Sequence, residues 1–491
     1  MSPTPLLGMY VHMHWAYKHP YAARTWTLED WRSYAGGVAA LGYNLIMFWP
    51  MFETMPDPLT ASDVAQLEKL SQVIDMLHDE FGMTVYTTLG PNTVGNARAA
   101  EFPFTERPFF HCDERLNPAD PSAVARLLRI RRELLGYLRN VDGVVIIDSD
   151  PGGYVGSTNA EFAQLLLDHL AIIRELNPHA MLYYWMWSGW ETYNKFWEAW
   201  ENAGPDEEVP FTFSAGDCEE VIRVLQAQPD ARWGVFSTTD EQHDVVTRLG
   251  KSERALFNPY GLIECEPSFP FTNCNPPSLA DRFAGHDASL TRLGTMGNAQ
   301  THAVQLPHTY CFAHFARGGT LETLDLPGFA EGLLPGWGET IAASWSALWS
   351  DDRKRMRQLA EQLEHFVPAT FTPGRYSGLL FGDPARFCRD LALQLHFDAA
   401  VHAFAAASEG ESWQPSLAEL ARAWRGWQQQ TGFVDAYYGP LFDGIVHPAL
   451  RRLDDARITA VLDDFNNWRN PSVRHGIVLR LLQAMEAAAS A

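Results

Sequence analysis

The chain has 491 residues, 46% of them hydrophobic and 20% charged, a globular composition with enough apolar content for one large barrel plus a further unit. Thirty-seven Lys and Arg against sixty Asp and Glu leave a net charge of −23, which argues against nucleic acid or an anionic membrane surface as partner, since both require a basic face. No segment offers about eighteen uninterrupted apolar residues for a membrane span, and the opening MSPTPLLGMYVHMHW has neither the basic start nor the apolar core of a secretory signal.

Strand-like runs alternate with helical patterns through the first 320 residues. GMYVHMHW (8–15) precedes a helix that opens on a capping box, Thr27 with Asp30 three positions on. NLIMFWP (44–50), MTVYTTLGP (83–91), GVVIIDSD (143–150) and AMLYYWMWSGW (180–190) follow, each separated from the next by a helical stretch. Four more runs are PFTFSAGD (210–217), RWGVFSTTD (232–240), ALFNPYGLIECEP (255–267) and LGTMGNAQ (293–300). Most are continuously apolar, as parallel strands covered on both faces require. Repeated β-then-α units of this kind predict a (β/α)8 barrel. Nine runs are one too many, so one between 210 and 267 is expected to be something else. Past about residue 330 the pattern turns helical, with Phe387, Leu391, Leu395 and Ala399 at steps of four and Leu359, Leu363 and Phe366 at i, i+4, i+7. The expected organisation is a barrel over 1–330 and a helical domain over 331–491, with Pro and Gly of LDLPGFAEGLLPGWGE marking the junction.

In such a barrel the residues at the carboxyl ends of the strands form the site. Those positions hold His14 and Trp15, Trp49 with Glu53, Asn92, Asp148 and Asp150, Trp185 to Trp190, Asp217, Asp240 with Glu241, Glu264 with Glu266, and Asn298 with Gln300. Acids, amides and indoles dominate and cations are nearly absent. That set suits a neutral, hydroxyl-rich ligand that stacks on flat faces, which is to say a carbohydrate. Trp15, Trp49, Trp185, Trp187 and Trp190 are expected to stack, and His14, Asn92, Asn298 and Gln300 to hold hydroxyls. No cofactor is called for.

The run into Asp148-Ser149-Asp150 carries the chemistry. Residues two apart on a strand share a face, roughly 6.6 Å apart at their Cα atoms. Carboxylates that close raise the pKa of one of them, leaving an acid beside a base at neutral pH. Glu264, Glu266 and Asp240 are alternative sources of a nucleophile or base. VHMHW also places His12 and His14 in the spacing of two metal-binding imidazoles, but the fifth and sixth runs lack the histidines that would complete such a site.

GVVIIDSDPGGY, the Trp-rich fifth run and GNAQTHAVQLPHTYCFAHFARG together resemble the barrel glycoside hydrolases around the β-N-acetylhexosaminidases (families 20 and 84) and the α-glucuronidases. The resemblance implies a carboxylate pair after strand 4, with Asp148 orienting a substrate 2-acetamido group and Asp150 donating the proton. Those families place the two acids side by side, whereas Ser149 separates them here, and Gly152 stands where a chitinase-type DxDxE motif has its glutamate. The expected activity is hydrolysis of a small glycan or glycoside. Two other readings fit the residues: a non-catalytic sugar-binding barrel, and a metal-dependent hydrolase or isomerase using His12 and His14. The six scattered cysteines read as reduced thiols of a cytoplasmic protein, with a Cys265–Cys274 bridge left open.

Overall fold

The computed structural model describes residues 5–13, 15–108, 112–149, 151–203, 209–229, 232–263, 275–284, 292–350, 352–366, 372–410, 412–434, 442–466 and 476–490. Eight parallel strands close into a barrel: β1 (Leu6–Val11), β2 (Leu45–Phe48), β3 (Thr84–Leu89), β4 (Gly143–Ile147), β5 (Met181–Trp185), β6 (Trp233–Ser237), β7 (Ala255–Phe257) and β8 (Gly294–Ala299). They follow one another around the ring in chain order, and β8 pairs back onto β1. The connection after β3 carries a small antiparallel hairpin, Thr93–Gly95 with Asp113–Arg115. The ninth run, 210–217, is the one that forms no strand. Ser214 caps the helix Ala215–Gln226 there, its hydroxyl accepting from the Asp217 amide.

Register decides which residues face the axis, because paired residues of parallel strands share a face. Tyr10 of β1 and Trp185 of β5 lie on opposite sides of the ring, yet their rings meet at 5.6 Å. Both therefore point inward. Following the ladders from these two places Gly8, Leu45, Met47, Tyr86, Gly143, Val145, Tyr183, Gly234, Phe236, Leu256, Met296 and Asn298 among the other inward residues. The barrel is filled mainly by aromatics: the Tyr86 and Tyr183 hydroxyls hydrogen-bond at 2.9 Å, and Phe236 packs on Tyr183. Glycine makes the room. A Cβ on Gly234 would stand 2.5 Å from the Tyr183 ring, and one on Gly143 would stand 2.9 Å from Tyr86, far inside van der Waals contact.

Helices Leu28–Ala40, Ala61–Phe81 and Asn159–Leu176 each begin with a two-sided capping box, at Thr27/Asp30, Thr60/Asp63 and Thr158/Glu161. Two otherwise orphaned backbone donors are satisfied at each of these ends. The junction stretch around 324–339 is itself helical, over Leu326–Leu333 and again from Gly338, with Pro327 in the first turn where its missing N–H does no harm.

The helical region that follows centres on Pro384–Ala407, whose Phe387, Leu391, Leu395 and Ala399 are all buried. It grips the connection after β1. Tyr21 donates to both oxygens of Asp390 at 2.8 and 2.9 Å, Arg386 donates to the same carboxylate at 2.6 Å, and the Lys18 amide donates to the Thr431 carbonyl. Tyr17 also packs on Phe433 at 5.2 Å. Burial outweighs the Arg386 guanidinium and lifts the Asp390 carboxyl from 3.8 to about 6. The folded chain thus holds a proton that the unfolded chain has released, and the associated stabilisation is complete below pH 3.8 and lost as pH rises through 6. Urea unfolding of wild type and Asp390→Asn at pH 4 and pH 7 should show the wild-type advantage shrinking by about 2 kcal/mol at the higher pH. A pH-independent difference would show that Asp390 does not titrate in that window.

Candidate active site

Continuing the inward register past the carboxyl ends of the strands brings together His12, Trp49, Gly90, Ser149, Trp187, Thr238, Asn258 and Gln300. This ring closes the mouth of the barrel. His12 lies against Tyr10 at 3.9 Å and faces Trp49 at 6.3 Å and Tyr260 at 6.2 Å. Trp187 meets Trp185 at 6.1 Å and Tyr260 at 5.1 Å, nearly edge-on in both cases. The Trp15 indole donates to Gln300 Oε1, and Gln300 in turn donates to the Tyr260 hydroxyl at 3.3 Å. Trp185 Nε1 donates to Thr238 Oγ1 at 3.1 Å, and Gln242 joins the Thr238 amide to the Trp187 carbonyl. Asn298 accepts from the Gly261 amide at 2.9 Å, which fixes the turn after Tyr260.

Most of these groups are buried, with Trp15 7% and Trp49 6% exposed. Trp187 and Tyr260 are partly exposed and form the open edge. Among the described residues the ring contains no Lys, Arg, Asp or Glu.

Asp148 occupies the opposite face of β4 from Ser149, so its side chain turns away from the axis into the layer between strands and helices. It is fully buried. There it accepts from the Tyr184 hydroxyl at 2.9 Å and from the amides of Trp187 at 3.2 Å, Ser188 at 3.2 Å and Gly189 at 3.0 Å. Loss of hydration pushes its pKa up, and these donors pull it back part of the way. The carboxylate therefore ties the exit of β5 to β4. Gly189 makes the turn possible, with φ of 95° and Asp217 packed where a Cβ would stand.

Trp15, Trp49, Trp185, Trp187, Asn298 and Gln300 gather at the mouth. Trp190 does not: it stacks on Phe162 at 4.9 Å in the helical layer and donates to Ser157 Oγ. Asn92 is a loop tie, its amide donating to the carbonyls of Leu116 and Gly153. Asp240 opens the helix Asp240–Arg248 and is exposed. Asp217 accepts from the Thr192 amide and the Ser214 hydroxyl. Glu53 is fully buried behind Trp49, holding its indole N–H at 2.8 Å and the Gly90 amide, with burial raising its pKa. His14, Asp150, Glu264 and Glu266 lie outside the described residues, as do Cys265 and Cys274. Among the described residues no group of three or more His, Cys, Asp or Glu is placed to hold a metal ion, and no helix is long and apolar enough to cross a membrane.

Four site residues escaped the sequence reading: Ser149, Thr238, Asn258 and Tyr260. Asn258 stands out because it is fully buried and neither atom of its amide has a hydrogen-bond partner among the described residues. The hydroxyl of Ser149 is in the same condition. A period-two count along β4 and β7 would have placed both inward.

No family model matches the chain, and no curated protein matches its sequence. Several solved structures are similar to it. A family 89 glycoside hydrolase from Clostridium perfringens, in complex with 2-acetamido-1,2-dideoxynojirmycin, is 10% identical, with 98% of this chain and 63% of that one covered at a TM-score of 0.49. A GH138 enzyme targeting pectin rhamnogalacturonan II is 9% identical over 88% of this chain and 63% of that one, at 0.45. GH5_18 from Streptomyces cattleya, in complex with GlcNAc, is 12% identical over 64% and 80%, at 0.36. The chain spans less than two thirds of the first two proteins, and at these identities the likenesses assign it no activity.

Asp148→Ala leaves three backbone amides unsatisfied in a dry layer, while the Tyr184 hydroxyl keeps Cys218 Sγ as an acceptor, and should destabilise the fold by about 3 kcal/mol or more. Denaturant unfolding measures this, and a loss below about 1 kcal/mol would mean that the β5 exit does not depend on the carboxylate.

Proposed function

We propose that the chain is a glycoside hydrolase that takes a neutral sugar into the mouth of the barrel. The observation that carries this reading is the ring itself, where indole, phenol, imidazole, amide and hydroxyl groups converge with no charged side chain among the described residues of the ring. Sugar faces stack on indoles, and sugar hydroxyls both donate to and accept from amides. A phosphorylated or carboxylated substrate would leave its charge uncompensated in such a place.

Hydrolysis of a glycosidic bond breaks the bond between the anomeric carbon and the leaving oxygen. The leaving oxygen takes a proton, and the hydroxide of water ends on the anomeric carbon. In this reading Asp150 supplies the proton. Asp148 is a positioning residue that holds the Trp187–Gly189 turn, and a second carboxylate comes from Glu264, Glu266 or Asp240 unless a substrate 2-acetamido group takes that part. The amide of Asn258 and the hydroxyl of Ser149, without a partner among the described residues, face the axis and offer hydrogen bonds to the sugar. Cys112, Cys218, Cys311 and Cys388 are free and buried, which supports a reducing, cytoplasmic setting.

The test is hydrolysis of aryl glycosides with and without 2-acetamido groups. Cleavage confined to 2-acetamido sugars supports assistance by the substrate, cleavage of plain hexosides points to a protein nucleophile, and cleavage of uronides would overturn the neutral-sugar reading. Asp150→Asn should lower kcat by about 100-fold or more while leaving inhibitor binding in place. Unchanged kcat would remove Asp150 from the acid role. Sugar binding without turnover in wild type would favour a binding protein, and stoichiometric zinc or manganese in protein purified without added ions would favour the metal reading.

Asn258→Leu keeps the volume and removes two unsatisfied polar atoms. Stability should hold or rise by up to about 2 kcal/mol, while kcat/KM falls about tenfold or more with the loss of a sugar contact. Lower stability with unchanged kcat/KM would make Asn258 structural.

A further inference from the structure

Aromatic residues continue outward from the open edge of the mouth. Trp187 leads to Phe211 at 6.4 Å, and Phe211 leads to Phe196 at 5.2 Å. Tyr193 then joins Phe211 to Trp197, and Trp200 packs on Trp197 at 4.7 Å. Tyr193, Phe196, Trp197 and Trp200 occupy positions i, i+3, i+4 and i+7 of the helix Trp190–Asn202, so they form one stripe. This helix is additional to the barrel repeat, since Ala215–Gln226 already supplies the helix between β5 and β6. It therefore lies over the rim on the side where the strands end.

A helical stripe of this kind normally buries itself in a core. Here Tyr193 is buried, but Phe196, Trp197 and Trp200 are only partly so, and Phe211 is 47% exposed. The neighbouring loops add to the patch. Arg115 of the hairpin after β3 lies 3.8 Å above the Trp197 ring, and Tyr154 after β4, 38% exposed, donates its amide to Asn194 on the same helix.

We infer that this rim is a second binding region, a platform for further residues of an oligosaccharide whose terminal sugar enters the mouth. This rests on the sugar-binding reading above and adds chain length to it. Three features favour a glycan as the occupant. The track is continuous with the mouth through Trp187, so one ligand can span both. It is built of flat rings, whose faces stack on sugar faces, at spacings on the scale of one sugar ring. Arg115 is spread over the Trp197 indole face, an arrangement that suits stacking.

The experiment compares each aryl monosaccharide that wild type cleaves with the tetrasaccharide of the same sugar and linkage. Alongside it, binding to a printed array of neutral mono- and tetrasaccharides is measured for wild type, Trp197→Ala and Phe211→Ser. Phe211 is exposed and lies outside any helix or strand, so Phe211→Ser keeps the test valid if Trp197→Ala fails to fold. The tetrasaccharide should be favoured by about tenfold in kcat/KM or in array affinity, and the preference should fall to near unity in the variants. Array preference lost in the variants without any hydrolysis would uphold the platform and overturn the hydrolase reading. Equal handling of both lengths by wild type would overturn the platform and leave that reading standing. A preference untouched by either variant, or self-association of wild type abolished by them, would overturn it as well, the latter in favour of a second copy as occupant. Binding to no glycan at all would overturn both.

Discussion

Closure of the barrel is the constraint from which the site follows. Once β8 pairs with β1, facing is no longer a local property of each strand: one inward residue sets the face of every residue in register with it. The contact between Tyr10 and Trp185 across the axis therefore orients the whole ring. It places Ser149, Asn258 and Gln300 inward together and sends Asp148 outward. A shift of one residue in any strand would exchange these sets. Glycines at 143 and 234 leave space for the Tyr86 and Tyr183 rings that help to fill the interior.

The same constraint explains how a carboxylate at the end of a buried strand is tolerated. A charge taken out of water is costly unless donors surround it. Asp148 gathers four, three of them backbone amides of one turn, so a local electrostatic requirement becomes a mechanical link between β4 and the exit of β5. Trp187 owes its position at the open edge to that link. On another side of the mouth, the connection after β1 is held by Tyr21 against Asp390 and by Tyr17 against Phe433, so the helical region acts as a brace for the loop that bears Trp15.

The aromatic content of the chain is thereby divided among three tasks. Tyr86, Tyr183 and Phe236 fill the barrel, Trp26, Trp31 and Trp190 pack in the layer around it, and Trp15, Trp49, Trp185 and Trp187 line the mouth. Composition cannot separate these tasks, because an indole presents the same apolar area to a core as to a sugar. Position relative to the barrel axis does.

The alternation of strands and helices, the barrel that follows from it, the capping box at Thr27 and the helical character of the last third are all legible in the sequence. All of these arise from hydrophobic period and local hydrogen bonding within a few residues. The sequence also made the end of β4 and the tryptophans near the strand ends legible as candidates. Only the tertiary structure decided that Asp148 faces the helical layer, that Trp190 is core, that 210–217 is not a strand, and that Asn258 and Tyr260 belong to the mouth. The physical reason is that side-chain facing and burial depend on pairing between residues far apart in the chain, and closure of the ring is what fixes that pairing.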